Sequence, residues 1–431
     1  METAPRTASA RSLLPIGLAL ALTLPGIVLR LADPGASHPV EALLFGAAII
    51  GAAFLLAWGA EVAQLDISAG LALALLALIA VLPEYAVDFV FTWKAGNAVE
   101  QFGSACHAPG ATGDSSCSLA LANMTGANRL LIGVGWAAVV FIAWFRSRQR
   151  GKPLKAVTLR RSHSVELAFL AVATAYSLTL PLKHSITLVD GAILVAIFVA
   201  YTIRVARGPA EEPHLVGPSR TLGGLPTAKR RAVVVAMFAF SAIVILLCAE
   251  HFAEALVATG EDLGVSEFFL VQWVAPLASE APELLVACLF AWRLNTDAGL
   301  GALVSSKVNQ WTLLVGTLPL VFAIASGSLH GLPIEANQRD ELLLTGAQSL
   351  FAVAVLASLS ISVREAWALF GLFWAQFLLT AVLPESLHGT ELLLLSGMYL
   401  FLGIGVLLRD RGRLPGLLRD GLWTPHDELH R

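Results

Sequence analysis

Long apolar runs are the feature that most constrains the fold of this chain of 431 residues. Hydrophobic residues make up 57% of it, charged residues only 14%, and its mean hydropathy is +0.74, whereas soluble domains contain roughly 25% charged residues. A run of about 20 apolar residues is long enough to cross a bilayer as a helix. No long polar segment separates these runs, so we predict an all-α, polytopic membrane protein without a soluble domain. The twelve predicted spans are residues 12–32, 41–60, 66–92, 117–145, 164–182, 187–206, 232–257, 265–292, 298–326, 341–361, 365–383 and 389–408.

Polar residues lie deep inside one of the apolar stretches, residues 263–320. Glu280, Pro282 and Glu283 come early in it, and Lys307 and Asn309 follow. A charged side chain at bilayer depth costs at least about 2.5 kcal/mol and is usually functional. The proline removes a backbone donor and frees a carbonyl that lipid cannot satisfy. We therefore predict a broken helix at mid-membrane, with carboxylates and unwound backbone forming a polar site.

The same pattern occurs earlier in the chain, so the sequence contains an internal repeat. Pro83-Glu84 corresponds to Pro282-Glu283, and Asn128 corresponds to Asn309. Each copy has five predicted spans, and an odd number makes the second copy enter the membrane from the opposite face. We predict two inverted five-helix repeats, an arrangement found in many secondary transporters, with one extra helix at each end of the chain. The predicted divisions are a tail and extra helix at 1–40, a first repeat at 41–206, a connecting loop at 207–231, a second repeat at 232–383, and an extra helix and tail at 384–431.

Lysine and arginine residues in the loops predict the orientation, because basic loops remain in the cytoplasm. The basic clusters at 146–161 and 204–231, together with both termini, fall on one side when the spans are counted. We therefore expect both termini in the cytoplasm, in what the composition suggests is a bacterial plasma membrane. The loop with Cys106 and Cys117 falls on the outer side, where these cysteines can form a disulfide.

The first span has a second interpretation. Its basic start and apolar core also fit a cleavable signal peptide. The apolar run is long for a signal peptide, and Arg30 follows it without a clear cleavage site. We favour a retained helix, and the topology of the rest is the same in either case.

These features resemble the sodium/calcium exchanger (calcium:cation antiporter) family, whose repeats read approximately T-S-L-P-E and G-S-N-x-x-N/D. The resemblance covers most of residues 41–383 and implies a core of ten helices. It also implies that Glu84 and Glu283 match the paired glutamates that bind Ca²⁺ and, alternately, Na⁺ or H⁺. Ser279 matches the motif's threonine and Glu280 replaces its serine, whereas the first repeat has Ala80 and Val81 at those positions.

The resemblance and helix geometry together define a set of candidate metal ligands. Ca²⁺ takes six to eight hard oxygens, including carboxylates. Asp88 lies four residues after Glu84 and Glu280 three before Glu283, so each pair shares a helix face. Asn128 and Asn309 match the last position of the second motif, although reading Gly126-Ala127-Asn128 as G-S-N would shift these roles. The candidate ligands are Glu84, Glu283, Glu280, Asp88, Ser279, Asn128, Asn309 and Ser305.

Several of these residues also have simpler interpretations. A Pro-Glu pair can be a purely structural kink, and Asp88 can meet water at the interface. Arg129 and Lys307 can either pair with the acids or extend toward the interface. If Arg129 and Lys307 shared one cavity with the four acids, the site would carry a charge of −2 when ionised, which one Ca²⁺ would cancel.

The sequence therefore predicts a secondary active antiporter that exchanges Ca²⁺, or a similar cation, for H⁺ or Na⁺ by alternating access. H⁺ is favoured because hydroxyls are missing at Ala80 and Val81 while Asp88 and Glu280 add groups that can take protons. We expect inorganic cations and the lipid bilayer as partners, no nucleic acid, no cofactor and no enzymatic activity. The alternatives are an intramembrane metal-dependent enzyme, which would need a suitably spaced histidine or nucleophile, and a non-transporting scaffold of the same fold.

Overall fold

The computed structural model describes residues 10–32, 35–66, 82–103, 106–108, 114–208 and 215–429. This part of the chain is almost entirely helical, which confirms the predicted fold class. Its helices are α1 Ala10–Ala32, α2 His38–Ala63, α3 Leu82–Phe102, α4 Ser116–Gln149, α5 Ser164–Ser177, α6 Leu188–Ala206, α7 Pro218–Gly223, α8 Thr227–Leu263, α9 Glu267–Trp292, α10 Thr296–Ser326, α11 Ala336–Leu356, α12 Val363–Val382, α13 Glu385–Arg409, α14 Arg413–Leu422 and α15 His426–Leu429. Short 3-10 turns occur at Arg161–His163 and Leu180–Leu182.

Nine helical segments in the described residues are long and apolar enough to cross a membrane. They correspond to nine of the twelve predicted spans. The predicted spans at 341–361 and 365–383 are helical as α11 and α12, but these helices are not among the nine. The remaining predicted span, 66–92, falls partly on residues 67–81, which lie outside the described residues, and its described part opens α3 at Leu82.

The first of two compact units comprises Met1–Val90 and Pro209–Pro282. In it α2 packs along α8, and α1 packs along α2. The buried side chains of Leu55, Trp58 and Met237 belong to its apolar core. Gly51 allows the close approach of α1 and α2, because a Cβ at this position would lie 2.5 Å from the backbone oxygen of Ala19.

The second unit comprises Phe91–Gly208 and Glu283–Arg431. Here α11 packs against α13, and α6 packs against α10. A Cβ on Gly191 would lie 2.6 Å from the backbone oxygen of Gly316, so the backbones of α6 and α10 are in direct contact. Two short antiparallel ribbons link loops of this unit. They pair β1 Ala156–Thr158 with β4 Ser360–Ser362, in the register Val157 to Ile361, and β2 Ser185–Ile186 with β3 Leu332–Pro333.

Neither compact unit coincides with one predicted repeat. Each unit takes residues from both the 41–206 and the 232–383 segments. Within the second unit, each ribbon also joins a strand of the first segment to a strand of the second. The repeats are therefore divisions of the sequence, whereas the compact units are built from corresponding parts of both.

The predicted disulfide between Cys106 and Cys117 is present, with the two Cα atoms 5.7 Å apart. It fastens the preceding loop to the start of α4. The Ser115 hydroxyl caps the same helix end by accepting a hydrogen bond from the Ser118 amide. A helix N-terminus stabilised in this way holds the rest of α4 in a defined register.

The prediction of a broken helix at Pro282 is wrong. Helix α9 is continuous through both Pro276 and Pro282. A proline removes one backbone hydrogen bond, but the bonds of neighbouring turns can keep a long helix intact. The backbone irregularities lie elsewhere, in π-helical segments at Leu131–Trp136 within α4 and Gln310–Leu314 within α10. Such segments often occur at functional sites.

Candidate functional site

Three glutamates form a compact carboxylate cluster. Glu84 lies in the first turn of α3, and Glu280 and Glu283 lie one turn apart on α9. One carboxylate oxygen from each residue lies within 4.8 Å of those from the other two. Glu84 and Glu280 are almost completely buried. The division between the compact units falls between Pro282 and Glu283, but α9 is continuous there, so the helix itself sets the position of Glu283 relative to Glu280.

This separation suits a single divalent cation. Two oxygens that each contact one Ca²⁺ at about 2.3–2.6 Å can be at most about 5.2 Å apart. The three glutamate oxygens satisfy that limit. Buried carboxylates this close cannot all remain ionised without a neutralising cation or proton. The cluster therefore has the chemistry of a site for a hard cation or for protons.

Asp88 lies one turn beyond Glu84 on α3 and is equally buried, with an exposed fraction of 1%. This burial argues against the interpretation that it meets interfacial water. Among the described acidic residues, the cluster comprises the three glutamates, and Asp88 lies outside it.

The neutral candidates make contacts within their own surroundings. The Ser279 hydroxyl donates to the backbone oxygens of Ala275 and Pro276, at 3.4 and 3.3 Å. The Ser305 hydroxyl is hydrogen bonded to the Tyr201 hydroxyl at 2.8 Å. Both hydroxyls thus have hydrogen-bond partners other than the carboxylates. Asn309 is buried in α10, immediately before the π-helical segment.

The two buried cations do not extend toward an interface. Arg129 forms an ion pair with the Glu341 carboxylate, with Nη2 2.7 Å from Oε2, and the Arg129 side chain is only 1% exposed. Lys307 is completely buried, and its ammonium donates to both the backbone oxygen and the side-chain oxygen of Asn128, each at 2.6 Å. Arg129 therefore has an acidic partner, Glu341, that is not one of the four acids considered from the sequence.

Sequence reasoning missed two buried acids, one of which forms the ion pair with Arg129. Glu341 on α11 and Glu391 on α13 are each 5% exposed, and the Thr380 hydroxyl donates to Glu391 at 3.1 Å. Both acids lie near the starts of predicted spans, where a carboxylate normally meets water. The missed signal was the presence of Arg129 inside an apolar run, since such a residue requires a buried acidic partner.

The π-helical segments show which residues of the two repeats correspond. One begins at Leu131, three residues after Asn128, and the other begins at Gln310, three residues after Lys307. This spacing favours the alternative register, in which Gly126-Ala127-Asn128 is read as G-S-N. In that register Asn128 corresponds to Lys307, and Asn309 corresponds to Leu130.

The fold and the buried acidic cluster define an integral, multi-pass membrane protein with a site suited to cations. The family model described as "Sodium/calcium exchanger protein" matches residues 38–206 and 233–382. The chain therefore belongs to the sodium/calcium exchanger family, and the predicted resemblance is confirmed.

Solved structures agree with this assignment. The crystal structure of the H⁺/Ca²⁺ exchanger CAX is 40% identical, covers 95% of this chain and 97% of its own, and has a TM-score of 0.85. The Ca²⁺/H⁺ antiporter protein YfkE is 15% identical, with coverages of 92% and 99% and a TM-score of 0.56. The sodium-calcium exchanger NCX_Mj is 14% identical, with coverages of 86% and 99% and a TM-score of 0.50. The last two show likeness of fold alone. A comparison with curated protein sequences gives no significant match.

Proposed function

We propose that this protein is a secondary antiporter that exchanges Ca²⁺ for H⁺ by alternating access to a site formed by Glu84, Glu280 and Glu283. The observation that carries this proposal is the cluster of three carboxylate oxygens within 4.8 Å of one another. The 40% identity to an H⁺/Ca²⁺ exchanger over almost the whole chain supports the choice of ions.

Ca²⁺ and protons would compete for the same oxygens. Ca²⁺ requires ionised carboxylates as ligands. A proton on one of these carboxylates removes negative charge and occupies an oxygen. Because a buried acidic cluster must be neutralised in either case, loading of protons displaces Ca²⁺ and loading of Ca²⁺ displaces protons. Alternating exposure of the site to the two sides then converts this competition into exchange.

Uptake of Ca²⁺ into proteoliposomes tests this proposal. An outward H⁺ gradient is imposed with no Na⁺ present, and radioactive Ca²⁺ is followed. We expect uptake that is abolished by a protonophore together with a potassium ionophore at matched K⁺. No Ca²⁺ uptake under the H⁺ gradient, combined with strong Ca²⁺ uptake under a Na⁺ gradient at constant pH, would contradict H⁺ coupling.

Substitution of the glutamates tests the site. Glu84→Gln and Glu283→Gln each replace a carboxylate with a neutral amide of similar size. We expect each to lower Ca²⁺ uptake by at least about tenfold, which corresponds to 1.4 kcal/mol. Glu428→Gln, which removes an exposed acid near the C-terminal end, is the matched control and should retain full uptake. Unchanged uptake in both site variants would exclude these glutamates as the site.

A further inference from the structure

We propose that the ammonium group of Lys307 is a built-in cation that occupies the place of a second, mobile monovalent cation and thereby excludes Na⁺ from the transport site. The proposal rests on the proposed function, because it assigns the ion selectivity of that same site. In it Lys307 acts as a fixed charge and determines specificity without binding Ca²⁺ itself.

The contacts of Lys307 are those expected of a bound cation. Its Nζ atom donates to the backbone oxygen and to Oδ1 of Asn128, both at 2.6 Å. These are neutral oxygens, the type of ligand that backbone and amide groups offer to Na⁺ in membrane transporters. The ring of Trp311 lies 5.3 Å from Nζ, within the range of a cation–π interaction. The side chain is completely buried, so lipid headgroups and water do not hold the charge.

Lys307 follows a residue, Ser306, whose hydroxyl lies near one of the three glutamates, Glu283. Oγ of Ser306 and Oε2 of Glu283 are buried and make no hydrogen bond among the described residues. Buried polar atoms of this kind are often satisfied by an ion or a water molecule. The fixed ammonium is therefore held one residue away from a side chain that borders the candidate Ca²⁺ site.

The comparison of the repeats shows what Lys307 replaces. Asn128 and Lys307 stand at equivalent positions, each three residues before a π-helical segment. One copy thus has an amide, which can be a ligand, and the other has a positive charge bonded to that amide. The Asn128 amide nitrogen donates to the Met124 oxygen at 2.9 Å, so its oxygen is oriented toward Lys307. An asparagine at position 307 would restore two facing amides with an empty space between them.

The charge balance of the proposed site also disfavours the binding of Na⁺. With the ammonium counted in the transport site, as we propose, the three ionised carboxylates and the ammonium have a net charge of −2, which a single Ca²⁺ cancels. An additional Na⁺ would leave an uncompensated positive charge in a buried site, which is strongly unfavourable. Without the ammonium the same three carboxylates have a charge of −3, so the charge no longer opposes a monovalent cation, and an amide oxygen at position 307 would complete the ligands that such a cation needs.

The test compares Lys307→Asn with Lys307→Arg in the full-length protein. Ca²⁺ binding is measured by equilibrium dialysis in detergent at constant pH, with and without about 100 mM Na⁺. In wild type and in Lys307→Arg we expect no change in Ca²⁺ affinity when Na⁺ replaces a large organic cation. In Lys307→Asn we expect the apparent Kd for Ca²⁺ to change by about sixfold when Na⁺ is present. This is the mass-action factor for about 100 mM of a cation whose own Kd is about 20 mM.

Two further variants complete the test. Lys307→Met removes the charge without supplying a ligand oxygen, so it should not gain the Na⁺ response. If Lys307→Asn does not elute as a single species in size-exclusion chromatography, Lys307→Gln replaces it with the same amide oxygen. Absence of a Na⁺ effect in a folded amide variant, or an equal effect in wild type, would overturn the proposal. Because the binding assay does not require transport, failure of H⁺-driven uptake would overturn the proposed function alone.

Discussion

Lys307 and Asn128 are 179 positions apart in the sequence and are joined by two hydrogen bonds of 2.6 Å. They occupy equivalent positions in the two repeats, each one turn before a π-helical segment. A buried ammonium requires acceptors, because an unpaired charge in the membrane interior is costly. This contact therefore links α4 to α10 directly, and it places a positive charge beside helices that carry candidate ligands.

The first prediction concerns the ion pair between Arg129 and Glu341, whose side chains are 1% and 7% exposed. Arg129→Met leaves the Glu341 carboxylate without its cation and should destabilise the protein by about 3–5 kcal/mol. The double variant Arg129→Met/Glu341→Met should recover part of this loss, since it leaves no lone charge. Unfolding midpoints in detergent measure both effects. Arg148→Met, at an exposed position of the same helix, is the control. Equal stability of Arg129→Met and wild type would show that the pair is not maintained.

A second prediction concerns the disulfide. Cys106 and Cys117 should be unreactive toward maleimide in intact cells until a reductant is added, and should then react with a membrane-impermeant maleimide. Cys248 and Cys288 are replaced by alanine so that maleimide can label only Cys106 and Cys117. Loss of the bond by double substitution to serine should cost about 2–4 kcal/mol of stability. Labelling without a reductant would disprove the bond, and labelling only after cell lysis would reverse the predicted orientation.

A third prediction concerns the C-terminal helix α14, which packs against α5. A Cβ on Gly421 would lie well inside van der Waals contact with the Ser164 backbone oxygen and with the Ala168 side chain. Gly421→Ala should therefore separate α14 from α5 and increase the rate of tryptic cleavage after Arg419. Gly416→Ala is the matched control, because no atom lies within 4 Å of the added Cβ. Equal cleavage rates in the two variants would contradict this packing.

The fourth prediction concerns the pH dependence of the same contact. Arg161 donates two hydrogen bonds to Asp420, at 2.8 and 3.0 Å, and these bonds lower the pKa of the Asp420 carboxyl. A lowered pKa means that the stabilisation is present above the ordinary carboxyl value of about 4 and is lost as the pH falls through the lower, folded-state pKa. Asp420→Asn should thus be less stable than wild type at pH 7, by less than about 1 kcal/mol because the pair is partly exposed.

Unfolding midpoints of wild type and Asp420→Asn, measured from pH 7 to pH 3, test this sign. The difference between them should remain constant above pH 5 and decrease toward zero below about pH 4. Asp427→Asn, at an exposed position of the same tail, should show no difference at any pH. A difference that increases as the pH falls would contradict the assignment.

Much of the fold could be predicted because membrane spans depend on local composition. Long apolar runs were sufficient to predict the helices. The Pro83-Glu84 and Pro282-Glu283 pairs predicted the internal repeat, and the cysteine-containing loop predicted the disulfide. The docked helix α14 was missed, although Leu414, Leu417 and Leu418 have the spacing of an amphipathic helix. The continuity of α9 at Pro282 was also missed, since a proline predicts the loss of a hydrogen bond but not its consequence for the whole helix.

The candidate site was predictable only in its acidic part. Glu84, Glu280 and Glu283 could be selected because a buried acid is rare and costly in any surroundings. The partners of Arg129 and Lys307 could not be identified, because they lie 212 and 179 positions away and depend on tertiary packing. One register of the repeats pairs Asn128 with Asn309 and the other pairs it with Lys307, and the two differ by only two residues. The π-helical segments favour the pairing with Lys307, but they can be seen only once the backbone is known.

Anomalous diffraction from crystals of the protein soaked in Ca²⁺ would locate the transport site. We expect one strong peak at a position about 2.3–2.6 Å from carboxylate oxygens of Glu84, Glu280 and Glu283, the distances expected for Ca²⁺. The peak should disappear in Glu283→Gln and persist in Glu428→Gln. A strong Ca²⁺ peak elsewhere in the membrane-spanning region, with none among these three glutamates, would show that they do not form the Ca²⁺ site.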